Sequence, residues 1–186
     1  AFKSAIILRP SIVFGNEDQF FNRFATMAKL SPVVPLVGSK TKFQPVYVDD
    51  LAAAAVKAIT ENVKPGIYEL GGPEVATFKE LIVKLMGIIR RKRLIVNVPF
   101  FAALIQAYVF DMAQKLSLGL FTNSILTRDQ VRSLKSDNVV SLRGKSFKEL
   151  NIEPVAMDAI LEEYLYRHRP YGQYTELTET AGNLKP

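Results

Sequence analysis

The segment Phe43–Ala55, FQPVYVDDLAAAA, constrains the fold more than any other, because a short β-branched strand runs directly into a helix. Valines alternate with proline and tyrosine in its first half, which is typical of a half-buried strand. Asp49 and Asp50 follow at once, and we expect their carboxylates to cap the free N–H groups at the start of the helix. Tyr47 and these aspartates would lie where an α/β fold commonly places its functional groups.

Strands and helices alternate on both sides of this corner. Apolar runs predict strands at Ala5–Leu8, which should be buried on both faces of a parallel sheet, and at Ile67–Leu70. Short extended pieces are also predicted at Val33–Val37 and Leu94–Val98. The predicted helices are Gln19–Leu30 with an Asp18 cap, the corner helix to Glu61, a helix opened by a Thr77 and Glu80 capping box, Pro99–Leu116, and a last helix opened by Pro154. This alternation indicates an α/β fold.

Beyond residue 89 the chain is predicted to be mainly helical. Two further capping boxes, Thr127 with Gln130 and Ser146 with Glu149, predict short helices there. We therefore divide the chain into an α/β part at 1–89, a mainly helical lobe at 90–169 and a polar tail at 170–186.

Composition and missing motifs exclude several classes of function. The chain has no cysteine and one histidine, which argues against disulfides, thiolate chemistry and a metal site. Phosphate-binding glycine loops, zinc-protease motifs and nucleophile elbows are absent, so no catalytic residue is assigned. Leu94–Phe110 is interrupted by polar residues and is too short to cross a membrane, and the N-terminal run does not resemble a signal peptide. The net charge of +6 is spread along the chain, and no nucleic-acid partner is expected.

The basic run Arg90–Arg93 precedes an amphipathic segment that continues to Tyr108. Such a pair is typical of a surface that binds phosphate or anionic lipid. The same residues also fit a solvated helix end beside a core helix, since cations are favourable at helix C-termini. Both interpretations remain open at this point.

Three blocks resemble the C-terminal part of the extended short-chain dehydrogenase/reductase family: LRPSIVFG at Leu8–Gly15, FQPVYVDDLA at Phe43–Ala52 and YELGGPEVATFKEL at Tyr68–Leu81. Two more blocks, at Thr127–Ser141 and Tyr164–Tyr174, resemble the dehydrogenase-like accessory subunits of respiratory complex I and their bacterial relatives. The resemblance implies the last strands of an NAD(P)-binding Rossmann-like sheet together with a mostly helical substrate-side lobe.

The family comparison also implies where ligands would bind. By position, the residues at the nicotinamide end are Pro10, Ser11 and Ile12. The residues facing the substrate cleft are Phe43, Gln44, Pro45 and Val46. The glycine-rich loop and the catalytic tyrosine-lysine pair of the family would lie upstream of Ala1. Family members acting on sugar nucleotides typically carry an arginine about where Phe43 stands, which puts a nucleotide-sugar substrate in doubt.

The resemblance implies two functions. The first is a non-catalytic accessory subunit of NADH:quinone oxidoreductase, or complex I, on the cytoplasmic face of a bacterial inner membrane or the mitochondrial matrix side. Its partners would be complex I subunits, with a peripheral membrane contact through Arg90–Tyr108. NAD(P)H would bind the full-length protein, and this segment alone is not expected to bind it. The second is an NAD(P)-dependent epimerase, dehydratase or reductase with its catalytic residues upstream. A third interpretation is that the segment self-associates through an exposed sheet edge.

Overall fold

The computed structural model describes residues 4–116, 128–141, 144–174 and 180. The strands are β1 Ile6–Pro10, β2 Val13–Phe14, β3 Val33–Val37, β4 Lys42–Phe43, β5 Val46–Tyr47, β6 Gly66–Leu70, β7 Ala76–Thr77 and β8 Leu94–Val98. The helices are α1 Phe21–Leu30, α2 Val48–Thr60, α3 Phe78–Ile88, α4 Phe100–Leu116, α5 Arg128–Ser133 and α6 Met157–Leu165. Short 3₁₀ turns lie at Phe147–Leu150, Tyr166–His168 and Gly172–Tyr174. Thr127, one half of a predicted capping box, lies outside the described residues.

Parallel strand pairs connected through helices organise the fold. Strand β1 pairs with β6, β2 with β5 and β3 with β8, all in parallel. Strands β4 and β7 form a short antiparallel pair. Parallel partners require long crossover connections, which the helices supply here. The predicted α/β architecture with parallel strands is confirmed.

Strand β1 is longer and more exposed to solvent than predicted. It continues through Arg9 and Pro10, which were expected to end it after Leu8. It was also expected to be buried on both faces, but Ile7 is 49% exposed and its register partner Ile67 on β6 is 46% exposed. The described residues therefore cover one face of this strand pair and leave apolar side chains on the other.

The main core lies between α1, α3 and α6. Its fully buried side chains include Phe21 and Ala25 from α1, Leu81, Ile82 and Leu85 from α3, and Leu161 and Leu165 from α6. These residues recur at helical spacing, so each helix presents one apolar face to the others. Strands β2 and β3 contribute Phe14, Val34 and Leu36 to the same cluster. This packed core forms the base of the cleft described below.

The two aspartates of the corner do not cap their own helix. Tyr47 is the N-cap residue of α2 and makes no side-chain capping bond, so Asp49 and Asp50 lie in the first helical turn. Their charge still favours the positive end of the helix dipole. Asp50 is only 8% exposed, and its Oδ2 accepts a hydrogen bond of 2.8 Å from the Val155 backbone N–H. The expected N-cap role was wrong; Asp50 instead joins the corner to the chain entering α6.

Two of the predicted capping boxes are present at the starts of helical segments. Thr77 and Glu80 form a complete capping box at α3. Ser146 and Glu149 do the same for a 3₁₀ turn rather than an α-helix. The last helix begins at Met157, after the N-cap Ala156, and not at Pro154 as predicted.

Residues 164–169 fasten the end of α6 to the rest of the fold. The Tyr164 hydroxyl donates to Asp18 Oδ2 at 2.6 Å, and Asp18 also accepts the Phe21 N–H at the start of α1. The Arg169 Nε donates to the Ile88 carbonyl at the end of α3. These bonds satisfy backbone groups that helix ends leave unpaired.

Part of the predicted basic run is also used inside the fold. Arg91 donates from Nε to the His168 carbonyl at 2.9 Å, and Arg93 donates from Nε to the Ala28 carbonyl at 2.6 Å. Arg90 and Lys92 are exposed. Arg91 and Arg93 therefore have a structural role inside the fold.

His168 lies among several cations. Its Nε2 is 3.2 Å from Asn22 Oδ1, and its Nδ1 is buried without a hydrogen-bond partner among the described residues. The cations near its ring are Arg167, Lys29 and Arg91, and the nearby anion is Asp18. Burial, followed by these positive charges, holds the pKa of His168 below its ordinary value, with Asp18 opposing the shift.

We expect stability to fall when the pH drops below about 6.5, because the unfolded chain then gains a proton on histidine that the folded chain resists. Above that pH the contribution of His168 is complete. Urea unfolding at pH 7.5, 6.5 and 5.5 should give a smaller loss for His168→Gln than for the native chain. If the free energy of unfolding fell equally with pH in both proteins, His168 would not be the source of the pH dependence.

Candidate ligand-binding cleft

The residues assigned to the nicotinamide end and to the substrate cleft lie next to each other in the structure. The Ser11 N–H donates to the Leu70 carbonyl at 2.9 Å, which continues the β1–β6 pairing beyond Pro10. The Val46 N–H donates to the Ile12 carbonyl at 2.9 Å. The carboxyl end of β1 and the strand entering the corner therefore form one wall.

The side chains of Ser11 and Gln44 are used inside this wall. Ser11 Oγ donates to the Asn138 carbonyl at 2.8 Å and accepts the Gln44 N–H at 3.2 Å. Gln44 donates from Nε2 to the Gly72 carbonyl at 2.7 Å and accepts the Val140 N–H on Oε1 at 2.9 Å. These bonds join the strand end at Ser11 and Gln44 to the segments around Gly72 and Asn138–Val140. Both side chains therefore have a structural role in the wall.

Replacing Gln44 by alanine should destabilise the wall, because the Val140 N–H and the Gly72 carbonyl would each lose a partner. We expect a loss of about 1–3 kcal/mol in the free energy of unfolding, measured with urea. Gln44→Glu should be no more stable than the alanine variant, since its carboxylate keeps the acceptor for Val140 but places a second acceptor against the Gly72 carbonyl. An alanine variant as stable as the native chain would show that the bridge contributes nothing.

Two of the seven assigned residues line a large cavity. Ile12 and Phe43 face a space of about 740 Å³. Pro45 and Val46 are buried behind this surface, and Pro10 is exposed at the end of β1 without lining the cavity. The binding roles of these seven residues remain a prediction.

Aromatic side chains that sequence reasoning assigned to the core also line the cavity. Phe20 and Phe24 reach it from the start of α1, and Phe78 reaches it from α3. The Phe78 ring centroid is 5.8 Å from that of Phe43 and 5.3 Å from that of Phe24, both edge to face. The spacing of the α1 phenylalanines indicates an apolar face, but not that a cavity lies against it.

The outer part of the cavity is polar. Its lining there includes Arg23, Gln106, Asp129, Gln130, Asp137 and Asn138. Asp137 Oδ1 already accepts the Lys42 backbone N–H at 2.8 Å. An apolar interior with a few polar groups at its mouth is the usual composition of a small-molecule site.

A smaller cavity of about 350 Å³ lies beside Tyr47, between the corner and α6. It is also lined by Glu163 and Arg167. A hydrogen bond with Asp49, together with burial and neighbouring carboxylates, raises the pKa of Tyr47 above its ordinary value. The phenol is therefore neutral at physiological pH.

Ser11, the polar residue among those assigned to the nicotinamide end, already uses its hydroxyl within the wall. Within the described residues there is no group of three or more histidine or acidic side chains able to hold a metal ion.

An exposed apolar surface lies on the far side of α4. Its side chains are between 41 and 68% exposed, and we call it the α4 face: Phe101, Ile105, Tyr108, Val109 and Met112. The opposite side of α4 packs through the fully buried Ala103 against Val37 and Val131. In residues 90–96, which precede α4, every second side chain is exposed. The basic residues Arg90 and Lys92 come first, and the apolar residues Leu94 and Val96 follow. No helix in the described part of the chain is long and apolar enough to cross a membrane.

Comparison with known proteins links the chain to one group of relatives. No protein-family model matches it. It is 35% identical over 176 residues to NADH dehydrogenase (ubiquinone) 1 alpha subcomplex subunit 9, mitochondrial, of Arabidopsis thaliana. The corresponding mouse protein is 32% identical over 174 residues, and the Neurospora crassa NADH-ubiquinone oxidoreductase 40 kDa subunit is 27% identical over 174 residues. These matches cover 91–93% of this chain and 44% of each relative, so the chain spans less than half of their length.

Solved structures share the fold at lower sequence identity. The dTDP-glucose 4,6-dehydratase DesIV of Streptomyces venezuelae, solved with NAD and TYD bound, matches 98% of this chain with a TM-score of 0.59 and 19% identity. A UDP-glucose 4-epimerase of Thermotoga maritima matches 87% with a TM-score of 0.58 and 19% identity. The matches cover 47 and 46% of those chains. Both are Rossmann-like proteins of the extended short-chain dehydrogenase type.

Proposed function

We propose that this chain, a homologue of the mitochondrial alpha subcomplex subunit 9 proteins, is the C-terminal portion of a dehydrogenase-like accessory subunit of complex I. In this proposal the chain is a docking lobe and performs no chemistry itself. The observation that carries it is sequence similarity across more than nine-tenths of the chain to subunits of NADH dehydrogenase. The relatives support a mitochondrial location. Within it we place this chain on the matrix side of the inner membrane, and a bacterial homologue would occupy the cytoplasmic face.

The α4 face supports a docking role. Monomeric proteins rarely expose a contiguous row of large apolar side chains, and such rows commonly mark interaction sites. Arg90 and Lys92 border the apolar positions Leu94 and Val96 that lead into the helix. Apolar side chains flanked by cations suit a surface where complex I subunits meet anionic lipid headgroups. Nucleic acid is not a partner in this proposal.

NAD(P)H belongs to the full-length protein in this proposal. A solved structure of the same fold is described with NAD bound. In this chain Pro10 and Ile12 would border the nicotinamide end, and Ser11 would hold that edge in place through its bonds to Asn138 and Gln44. The bound nucleotide would supply redox chemistry only if catalytic groups accompany it.

The test is a pull-down of the tagged full-length protein from mildly solubilised membranes, followed by mass spectrometry. Recovery of several NADH dehydrogenase subunits in fixed ratio is the expected result. A free protein without partners would overturn the proposal. Detergent-only controls with an unrelated tagged protein identify adventitious membrane proteins.

The alternative is an NAD(P)-dependent epimerase, dehydratase or reductase whose tyrosine-lysine pair lies upstream. The observation in its favour is the large preformed cavity, which a docking lobe does not require. Turnover of NADH or NADPH with a carbonyl substrate by the full-length protein would favour this enzyme. Oligomers of the isolated chain at micromolar concentration would instead support the third interpretation, self-association through an exposed sheet edge.

A further inference from the structure

The deep wall of the cleft is built from rings that fix each other. Phe78 contacts Phe20 at 5.5 Å, Phe24 at 5.3 Å and Phe43 at 5.8 Å between ring centroids. Phe43 and Phe78 are almost fully buried, so neither can move away without disturbing the core. The cavity of about 740 Å³ lies within the range of small-molecule sites. It is therefore a preorganised apolar space.

The charges around the cleft argue against an anionic ligand. In the described part of the lining, Arg23 is the one basic side chain, and the carboxylates of Asp129 and Asp137 lie on the same rim. Arg132 forms a 3.6 Å ion pair with Asp129 and does not line the cavity. Because one of the two carboxylates is paired with Arg132 and the other accompanies Arg23, the rim offers no net positive charge to attract a diphosphate or carboxylate. Amide and hydroxyl groups of Gln106, Gln130 and Ser133 can instead bond to an uncharged polar head.

We propose that this cleft binds a single long hydrocarbon chain, with an uncharged polar head at the Gln106–Gln130 rim and the chain against the four phenylalanines. The inference goes beyond docking on complex I and does not depend on it. The hydrocarbon is either a free single-chain molecule or one acyl chain of a membrane lipid, whose uncharged ester linkage would then be the polar group at the rim. The chemistry of the cleft is the same for both sources.

Calorimetry of the full chain with 1-octanol, 1-decanol and 1-dodecanol tests the proposal. Each buried methylene should tighten binding three- to fourfold, so each step of two carbons should give about a tenfold gain. Decanoate should bind at least tenfold more weakly than decanol, and UDP-glucose should not bind. Failure to bind any alcohol, or an affinity independent of chain length, would overturn the proposal.

Two variants locate the site. Met27 lines the cleft from α1, and Met27→Trp should fill part of it and weaken decanol binding at least tenfold. Ser133→Trp is the second variant, because Ser133 is exposed on the rim and its replacement leaves the core untouched. Val56→Trp on the exposed side of α2 is the matched control and should bind like the native chain. Equal affinities in all four proteins would place the alcohol elsewhere and overturn the proposal.

A vesicle experiment distinguishes the two sources. The chain is incubated with phosphatidylcholine vesicles, re-isolated by gel filtration and extracted for mass spectrometry. Stoichiometric phospholipid, lost in Ser133→Trp, supports capture of an acyl chain from a bilayer. Empty protein that still binds dodecanol supports a free single-chain ligand. Recovery of complex I subunits without any hydrocarbon binding would overturn the cleft proposal and leave the docking role standing.

Discussion

Replacing Phe101 and Ile105 together by glutamate should reduce recovery of the full-length protein with complex I subunits by at least about 100-fold. Each side chain loses about 2 kcal/mol of burial if the α4 face docks, so both lose about 4 kcal/mol, or nearly three powers of ten in affinity. The face lies opposite the buried Ala103, so the core should keep its packing. Quantitative mass spectrometry of the co-purified subunits measures the effect, and thermal unfolding verifies that the variant is folded.

The matched control is Val56→Glu with Ile59→Glu on α2. Both side chains are well exposed, at 59 and 84%, and they lie on a different helix from the α4 face. This pair introduces the same charge into the same secondary structure, and recovery should equal that of the native protein. Equal losses in both double variants would mean that added charge, rather than the α4 face, disrupts assembly.

Replacing Gly72 by alanine should destabilise the chain by more than about 3 kcal/mol, which is among the larger effects of a single substitution. A Cβ at this position would collide with the carbonyl oxygen of Pro45. The Gly72 N–H donates to that same carbonyl at 3.1 Å, so the two backbones cannot separate without losing the bond. Urea unfolding at pH 7.5 gives the difference from the native chain.

Gly87→Ala is the control for this substitution. Gly87 lies near the end of α3, and an added Cβ there would meet no atom within 4 Å. Alanine is favoured over glycine in a helix by up to about 1 kcal/mol, so this variant should be slightly more stable than the native chain. If both variants changed the free energy of unfolding by the same amount, the close approach of Gly72 to the Pro45 carbonyl would not be the cause of the destabilisation.

Local patterns were sufficient to predict much of the fold. Capping boxes at Thr77 and Ser146 and the apolar spacing along α1 and α3 act within one turn or one helix, so they are visible in sequence. The strand-to-helix corner within Phe43–Ala55 was located correctly, but the hydrogen-bond partner of Asp50 was not predicted. Val155 lies 105 positions away, and a contact at that separation leaves no periodic signal.

The binding roles that the resemblance implies remain predictions. Ile12 and Phe43 line the cavity, while Ser11 and Gln44 bond to backbone groups more than 25 positions away. The residues 129–138 that close the cleft come from a different part of the chain, and no spacing connects them to α1. Side-chain chemistry alone could not separate a ligand-facing glutamine from a structural one.

Long separations within the strand pairs also determine how the chain can fold as it is synthesised. Ile6 pairs with Gly66, and Val33 pairs with Leu94, so about 60 residues must follow each first strand before its partner exists. At about 5–20 residues per second, ribosomes need several seconds to provide them. During that interval Ile7 and the valines of β3 lack the partner strands that they have in this structure, and a chaperone that binds short apolar segments could bind the nascent chain there. Within this part of the protein, we expect α1 to form before the late strands β6 and β8 pair.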